Sequence, residues 1–113
     1  MTVIDARIPV DLAPAPERPG VVGWLVEGDL PTPGPIAERF GLAGTHPIGC
    51  ACCLPRSAAA QALGRLFLRR ARGEVAWFDR VQLVAQTASG RDAVTAALTD
   101  DVLVAARFRG EPA

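Results

Sequence analysis

The chain has no lysine; its twelve basic residues are all arginine. Schiff-base chemistry and a P-loop lysine are therefore both excluded. Neither charge is in excess, because twelve acidic residues balance the arginines to a formal net charge of zero. The chain thus carries no electrostatic footprint for nucleic acid or an anionic membrane. No apolar run reaches the roughly 18 residues of a membrane span. Residues 1–20 contain Asp5, Asp11, Glu17 and several prolines in place of a basic start and an apolar core, so they do not read as a signal peptide. The expectation is a soluble, cytoplasmic protein with neither nucleic acid nor membrane as a partner. There is no internal repeat and no sign of a second domain, so residues 1–113 are read as one domain, large enough to fold without a covalent staple.

Soft ligands are scarce as well, but those present are gathered in one place. All three cysteines and the only histidine fall between positions 46 and 53, in Thr45-His46-Pro47-Ile48-Gly49-Cys50-Ala51-Cys52-Cys53. Clustering of this kind points to a soft metal ion held by thiolates, with redox chemistry as its competitor. In a reducing compartment an odd cysteine count needs no disulfide framework.

Around this stretch the pattern is that of an α/β protein. Arg7 to Ala13 alternates apolar and polar side chains as a short strand does, with Pro9 favouring an edge. Residues 13–20 are a proline-rich loop, Val21 to Val26 reads as a buried strand, and residues 30–35 form a second proline-rich loop before Ile36 to Phe40, where a helical turn is expected. Ser57 is a plausible N-cap for a helix with Ala59, Leu63, Leu66, Phe67 and Ala71 inward and Gly73 as its stop. Phe78 to Ala85 reads as a strand, followed by a polar turn at residues 86–90. Two helices are expected next, Asp92 to Leu98 and Asp101 to Phe108, the latter capped by Thr99 or Asp100, and then a frayed tail from Gly110. Val21 to Ala85 can form a right-handed βαβ unit. The loop joining the first two strands is too short for the usual parallel crossover, so those strands are antiparallel neighbours or do not pair. The fold class expected is α/β, a two- or three-layer unit with a mainly parallel sheet of about three strands and two to three helices.

Gly49-Cys50-Ala51-Cys52-Cys53, Phe78-Asp79-Arg80, Gln86-Thr87-Ala88-Ser89, Asp92 and Ala105-Ala106-Arg107-Phe108 follow one another in an order and spacing that resemble the CobW-type P-loop GTPases, a family of metal chaperones and metal-insertion proteins. The match runs over residues 49–109, and Arg7-Ile8-Pro9-Val10 and Val21 to Asp29 resemble the family's first two strands. Between those strands the family carries Gly-x-x-Gly-x-Gly-Lys-Thr and a helix, where this chain has only its proline-rich loop. Gln86 stands where the family has an acidic residue. Phosphate binding needs curled backbone amides, a lysine and a hydroxyl on magnesium, so no nucleotide cofactor and no GTP hydrolysis are expected.

The resemblance implies that Cys50, Cys52 and Cys53 are ligands of zinc or another soft divalent metal, and His46 is a candidate fourth ligand. The plainer alternatives stay open: small buried thiols under the Ser57 helix, or a redox pair without a Cys-x-x-Cys motif. Asp79, Asp92, Asp100 and Asp101 are read as caps, Arg69, Arg70 and Arg72 as a solvated basic helix end, and Trp24 and Trp77 as core or interface aromatics. The functional expectation is a non-enzymatic metal-binding accessory or chaperone-like protein of CobW type without its nucleotide engine. The alternative is an interaction subunit that self-associates or pairs with a full-length family member, because losing the helix after the first strand would bare an apolar sheet face. A thiol redox protein is the third reading.

Overall fold

A computed structural model describes residues 5–13, 21–41 and 57–111. The eight elements are β1 (Ile8–Asp11), β2 (Val22–Glu27), β3 (Ala37–Phe40), α1 (Ala58–Ala71), β4 (Arg80–Val84), α2 (Ala88–Asp100), α3 (Val102–Arg107) and β5 (Phe108–Glu111). The strands form one sheet in the order β3-β2-β4-β1-β5, and every neighbouring pair is parallel. None of the helices is long and apolar enough to cross a membrane among the described residues.

The α/β class and the parallel sheet agree with expectation, while the strand count rises from about three to five. Both added strands come from segments whose local signal is weak. Ala37-Glu38-Arg39-Phe40, expected as a helical turn, is β3; its backbone pairs with Trp24 to Glu27. Gly110 and Glu111, expected in a frayed tail, belong to β5, since Phe108 to Glu111 pairs with Ile8 to Asp11; the rest of that tail lies outside the described residues. The first two strands do not pair, because β4 lies between them, with Val10 opposite Val81 on one side and Gly23 opposite Val81 on the other.

Topology also decides which face is covered. The crossovers β3-α1-β4 and β4-α2-α3-β5 travel in the same direction across the sheet, so right-handed connections put their helices on one face. The three helices accordingly pack on one another and on the sheet. The β1-to-β2 and β2-to-β3 connections travel the other way. Among the described residues the structure is thus two layers: no described helix lies on the second, open face, although Asp11, Val26 and Gln82 on it are buried.

The helix-side core comprises Ile8, Val10, Leu25, Val81, Leu83 and Phe108 from the sheet, and Ala59, Leu63, Leu66, Val94 and Val104 from the helices. Phe78, just before β4, is completely buried against Gly23, where a Cβ would lie 3.3 Å from its ring. Phe67 meets Phe108 edge to face, with centroids 6.1 Å apart, whereas Ala71 is exposed. Ser57 caps α1, its hydroxyl accepting from the Ala60 amide at 3.2 Å. At the other end Gly73 takes φ 73°, and the Gly73 and Glu74 amides donate back to the Arg70 and Arg69 carbonyls. This double bond pattern is a Schellman ending, and glycine supplies the left-handed residue it requires.

Candidate functional site

In open parallel sheets, ligand sites lie outside the carboxyl ends of the strands, where adjacent connections leave in opposite directions. Here that condition holds on both sides of β4, since β1 and β2 connect toward the β3 edge and β4 toward β5.

Three constructions meet near β4. The first is Glu27 at the end of β2. Its carboxylate is buried and accepts from the Gln86 amide at 2.7 Å, the Thr87 amide at 2.9 Å and the Thr87 hydroxyl at 2.7 Å. Thr87 is also the N-cap of α2, its hydroxyl accepting from the Gly90 amide at 3.0 Å. A negative side chain therefore sits against the positive end of α2. Burial pushes the Glu27 carboxyl up, but the Thr87 hydroxyl and the Thr87 and Gln86 amides outweigh it and hold the pKa below its ordinary value. Gly90 is required by this packing, because a Cβ there would collide with the Glu27 carboxylate.

The second is an ion pair on the open face. Arg80 donates to both Asp11 carboxylate oxygens, Nε at 2.7 Å and Nη2 at 2.9 Å, with Asp11 buried. Two parallel bonds of this kind fix direction as well as charge. This pair raises the Arg80 pKa, with the Asp11 hydrogen bond as the leading cause.

Gln82, the neighbour of Asp11 across the sheet, is the third. Its Nε2 faces the carbonyls of Asp11 at 3.3 Å, Ala13 at 2.9 Å and Leu83 at 2.9 Å. Beside it opens a cleft of about 230 Å³ lined by Leu12, Trp24, Gln82, Val84, Ala85 and Arg91.

The expected metal ligands Cys50, Cys52, Cys53 and His46 lie outside the described residues. What the structure does describe are the two anchors of their segment: Gly41, directly after β3, and Ser57, the cap of α1. No group of three or more His, Cys, Asp or Glu side chains suited to a metal occurs among the described residues.

Other expectations change in detail. Asp101 is a cap, its carboxylate accepting from the Leu103 and Val104 amides at 3.0 Å each, and it replaces Thr99 or Asp100 in that role. Asp92 lies inside α2, because α2 starts at Ala88 and takes in residues 88–90 of the expected polar turn, and Asp100 is its last residue. Arg70 is not a solvated helix end. Its guanidinium lies 3.5 Å from the Trp77 ring centroid and donates to the Phe78 carbonyl at 2.8 Å. Trp77 itself is 62% exposed, so it is neither core nor free of contacts.

Glu27 and the Asp11–Arg80 pair were not singled out in the sequence. The signal for each was an acidic residue at the end of an apolar strand, which is also what an ordinary strand terminus looks like.

No protein-family model, curated protein sequence or solved structure matches this chain.

Proposed function

We propose that the chain is a metal-binding accessory protein, related to the CobW-type GTPases but without nucleotide chemistry. Cys50, Cys52 and Cys53 would supply thiolates to zinc or another soft divalent ion, and His46 the fourth donor. The observation that carries this reading is that every cysteine and the sole histidine of the chain occupy positions 46–53. Three thiolates and an imidazole form a donor set suited to a four-coordinate structural or carrier site. Two further features support it. The segment is anchored at Gly41 and Ser57, so it is tied to β3 and α1 rather than to a chain terminus. The strand-end residue that would be acidic in a GTPase is Gln86, whose amide binds Glu27, and the chain has no lysine for a phosphate.

Cobalt titration of the reduced chain tests this directly. One equivalent should bind with thiolate-to-metal charge-transfer absorption, zinc should displace it, and Cys52→Ser should abolish the band. Replacing His46 by Ala should keep the thiolate band and weaken retention. A wild-type protein that shows no such absorption and purifies without metal would sink the reading.

Pairing with another protein is the second reading. Val102 is 81% exposed and Leu103 46% exposed at the start of α3, beside a second cleft at Ser57, Ala93, Ala97 and Asp100. Adjacent exposed aliphatics of this kind favour a partner, either a second copy or a full-length CobW-type protein. Sedimentation of the wild type and of Val102→Asp separates the possibilities: a monomer at every concentration, with no retained CobW-type partner, removes this reading.

A further inference from the structure

The cleft at the β1–β4 border has features of a ligand site that the metal reading does not use. We propose that it binds a small aromatic carboxylate carrying an O–H or N–H donor.

The orientation of Gln82 is fixed by its neighbours. Three backbone carbonyls surround one end of its amide, and carbonyls only accept, so that end must be the NH₂ group. The Oε1 then points the other way. Among the described residues it accepts no hydrogen bond, although the residue is only 7% exposed, and it is not sealed from solvent, since the one fully buried unpartnered polar side-chain atom among those residues is Arg109 Nε. Gln82 lines the cleft, and we take its free acceptor to face it. An acceptor that water can reach but no protein group occupies is available to an O–H or N–H donor of a ligand, which takes the place of that water.

The other walls define the rest of the occupant. Among the described residues the Arg91 guanidinium has no hydrogen-bond or ion-pair partner, and it rises from the first turn of α2 at the cleft mouth. Arginine in that state is suited to a carboxylate, which it can hold by two parallel bonds. Trp24 supplies a half-buried indole, and Leu12, Val84 and Ala85 complete an apolar lining for a ring. One acceptor, one cation and an aromatic wall converge on one small volume.

The test uses the ¹⁵N-labelled full chain and three probes. 4-Hydroxybenzoate carries ring, carboxylate and hydroxyl; benzoate lacks the hydroxyl and phenol lacks the carboxylate. Saturable shifts of the Gln82 side-chain amide and the Trp24 indole are expected with 4-hydroxybenzoate, while the Trp77 indole stays still. Each truncated probe should bind about tenfold more weakly. Arg91→Ala, an exposed helix change that leaves the core intact, should make 4-hydroxybenzoate no better than phenol. Gln82→Leu would strip three carbonyls of their donor and unfold the region, so the hydroxyl contribution is read from benzoate instead. The proposal is overturned by any of three results: no saturable shift with 4-hydroxybenzoate, equal affinity after Arg91→Ala, or inorganic phosphate matching it in an Arg91-dependent way, which would mark a bare anion contact.

Discussion

The two faces of the sheet solve the same problem differently. On the helix side, Val10, Leu25, Val81 and Phe108 meet α1, α2 and α3 in a dry apolar layer. On the open side, alternation presents Asp11, Arg80, Gln82, Arg109 and Glu111 along β1, β4 and β5. Parallel sheets normally bury both faces under crossovers, and their strands are then apolar throughout. Here the second face, which carries no helix among the described residues, pairs charge: Arg80 with Asp11, and Arg109 with Glu111. On this face β2 is apolar, with Val22, Trp24 and a completely buried Val26 that has Val84 of β4 beside it. Part of that strand is shielded by residues 28–36, which are pinned where Arg39 donates to the Gly28 carbonyl at 2.7 Å and the Leu30 carbonyl at 2.6 Å. The comparison teaches that a sheet face without a described helix need not be uniformly apolar, which moves the proposed partner surface away from the middle of the sheet and toward Val102 and Leu103.

If this contrast is right, the helix side should be the more sensitive to truncation. Phe78→Ala removes a completely buried ring between Gly23 and the core, and should cost about 3–5 kcal/mol in urea unfolding. Leu63→Ala, on α1, should fall at about 2–5 kcal/mol. A loss under about 1 kcal/mol at both sites would mean that the helix layer is not where stability resides.

The open face should respond to charge removal rather than to volume. Asp11→Ala leaves the Arg80 guanidinium without its two-bond acceptor, and a loss of about 2–3 kcal/mol is expected. Replacing both partners by apolar residues of similar size should recover much of that loss, since the pair's own desolvation is then avoided. A double-mutant cycle that shows additivity would break the claim that this face is held by pairing.

The helix face was legible in the sequence because its signals are local. Ser57 and Gly73 bracket α1 as their side-chain chemistry requires, and the period of Ala59, Leu63 and Leu66 sets its inward side. The open face was not, because its order depends on partners far apart in the chain. Asp11 and Arg80 are strangers until β1 and β4 pair. β3 and β5 are four residues each and are made strands by the neighbours they add to, not by their own propensity. For the candidate site, the sequence supplied the cysteine cluster and its chemistry. It could not supply the cleft, which exists only where Trp24, Gln82 and Arg91 from three elements converge.

Between the two faces lies the carboxyl edge, where Glu27 and Gly90 interlock. Glycine to alanine inside a helix ordinarily stabilises by about 1 kcal/mol. Gly90→Ala should do the opposite and cost about 1–3 kcal/mol, because the new methyl group displaces a carboxylate held by three hydrogen bonds. In a Glu27→Ala background the same change should turn favourable. Equal effects in both backgrounds would show that the carboxylate does not occupy that space. Glu27 also gives this edge a pH dependence. Its folded pKa lies below the unfolded value, so its contribution is complete above the unfolded pKa and is lost as pH falls through the folded one.

The smallest effect belongs to the rim, and it separates a true pairing face from a decorated one. Asp5 accepts from Arg7 through both side chain and backbone, and those bonds, with the side-chain bond foremost, lower its pKa from 3.8 to about 2. By the same linkage, its contribution is present above 3.8 and disappears as pH falls through about 2. Both side chains are well exposed, so water and salt screen the pair. Asp5→Asn should therefore leave the unfolding midpoint near wild type at neutral pH and alter only its acid limb, whereas Asp11→Asn shifts the midpoint at neutral pH. If the two substitutions cost the same at neutral pH, burial is not what distinguishes the Asp11–Arg80 pair. The open face would then be merely charged, its ion pairs contributing as little as any exposed pair.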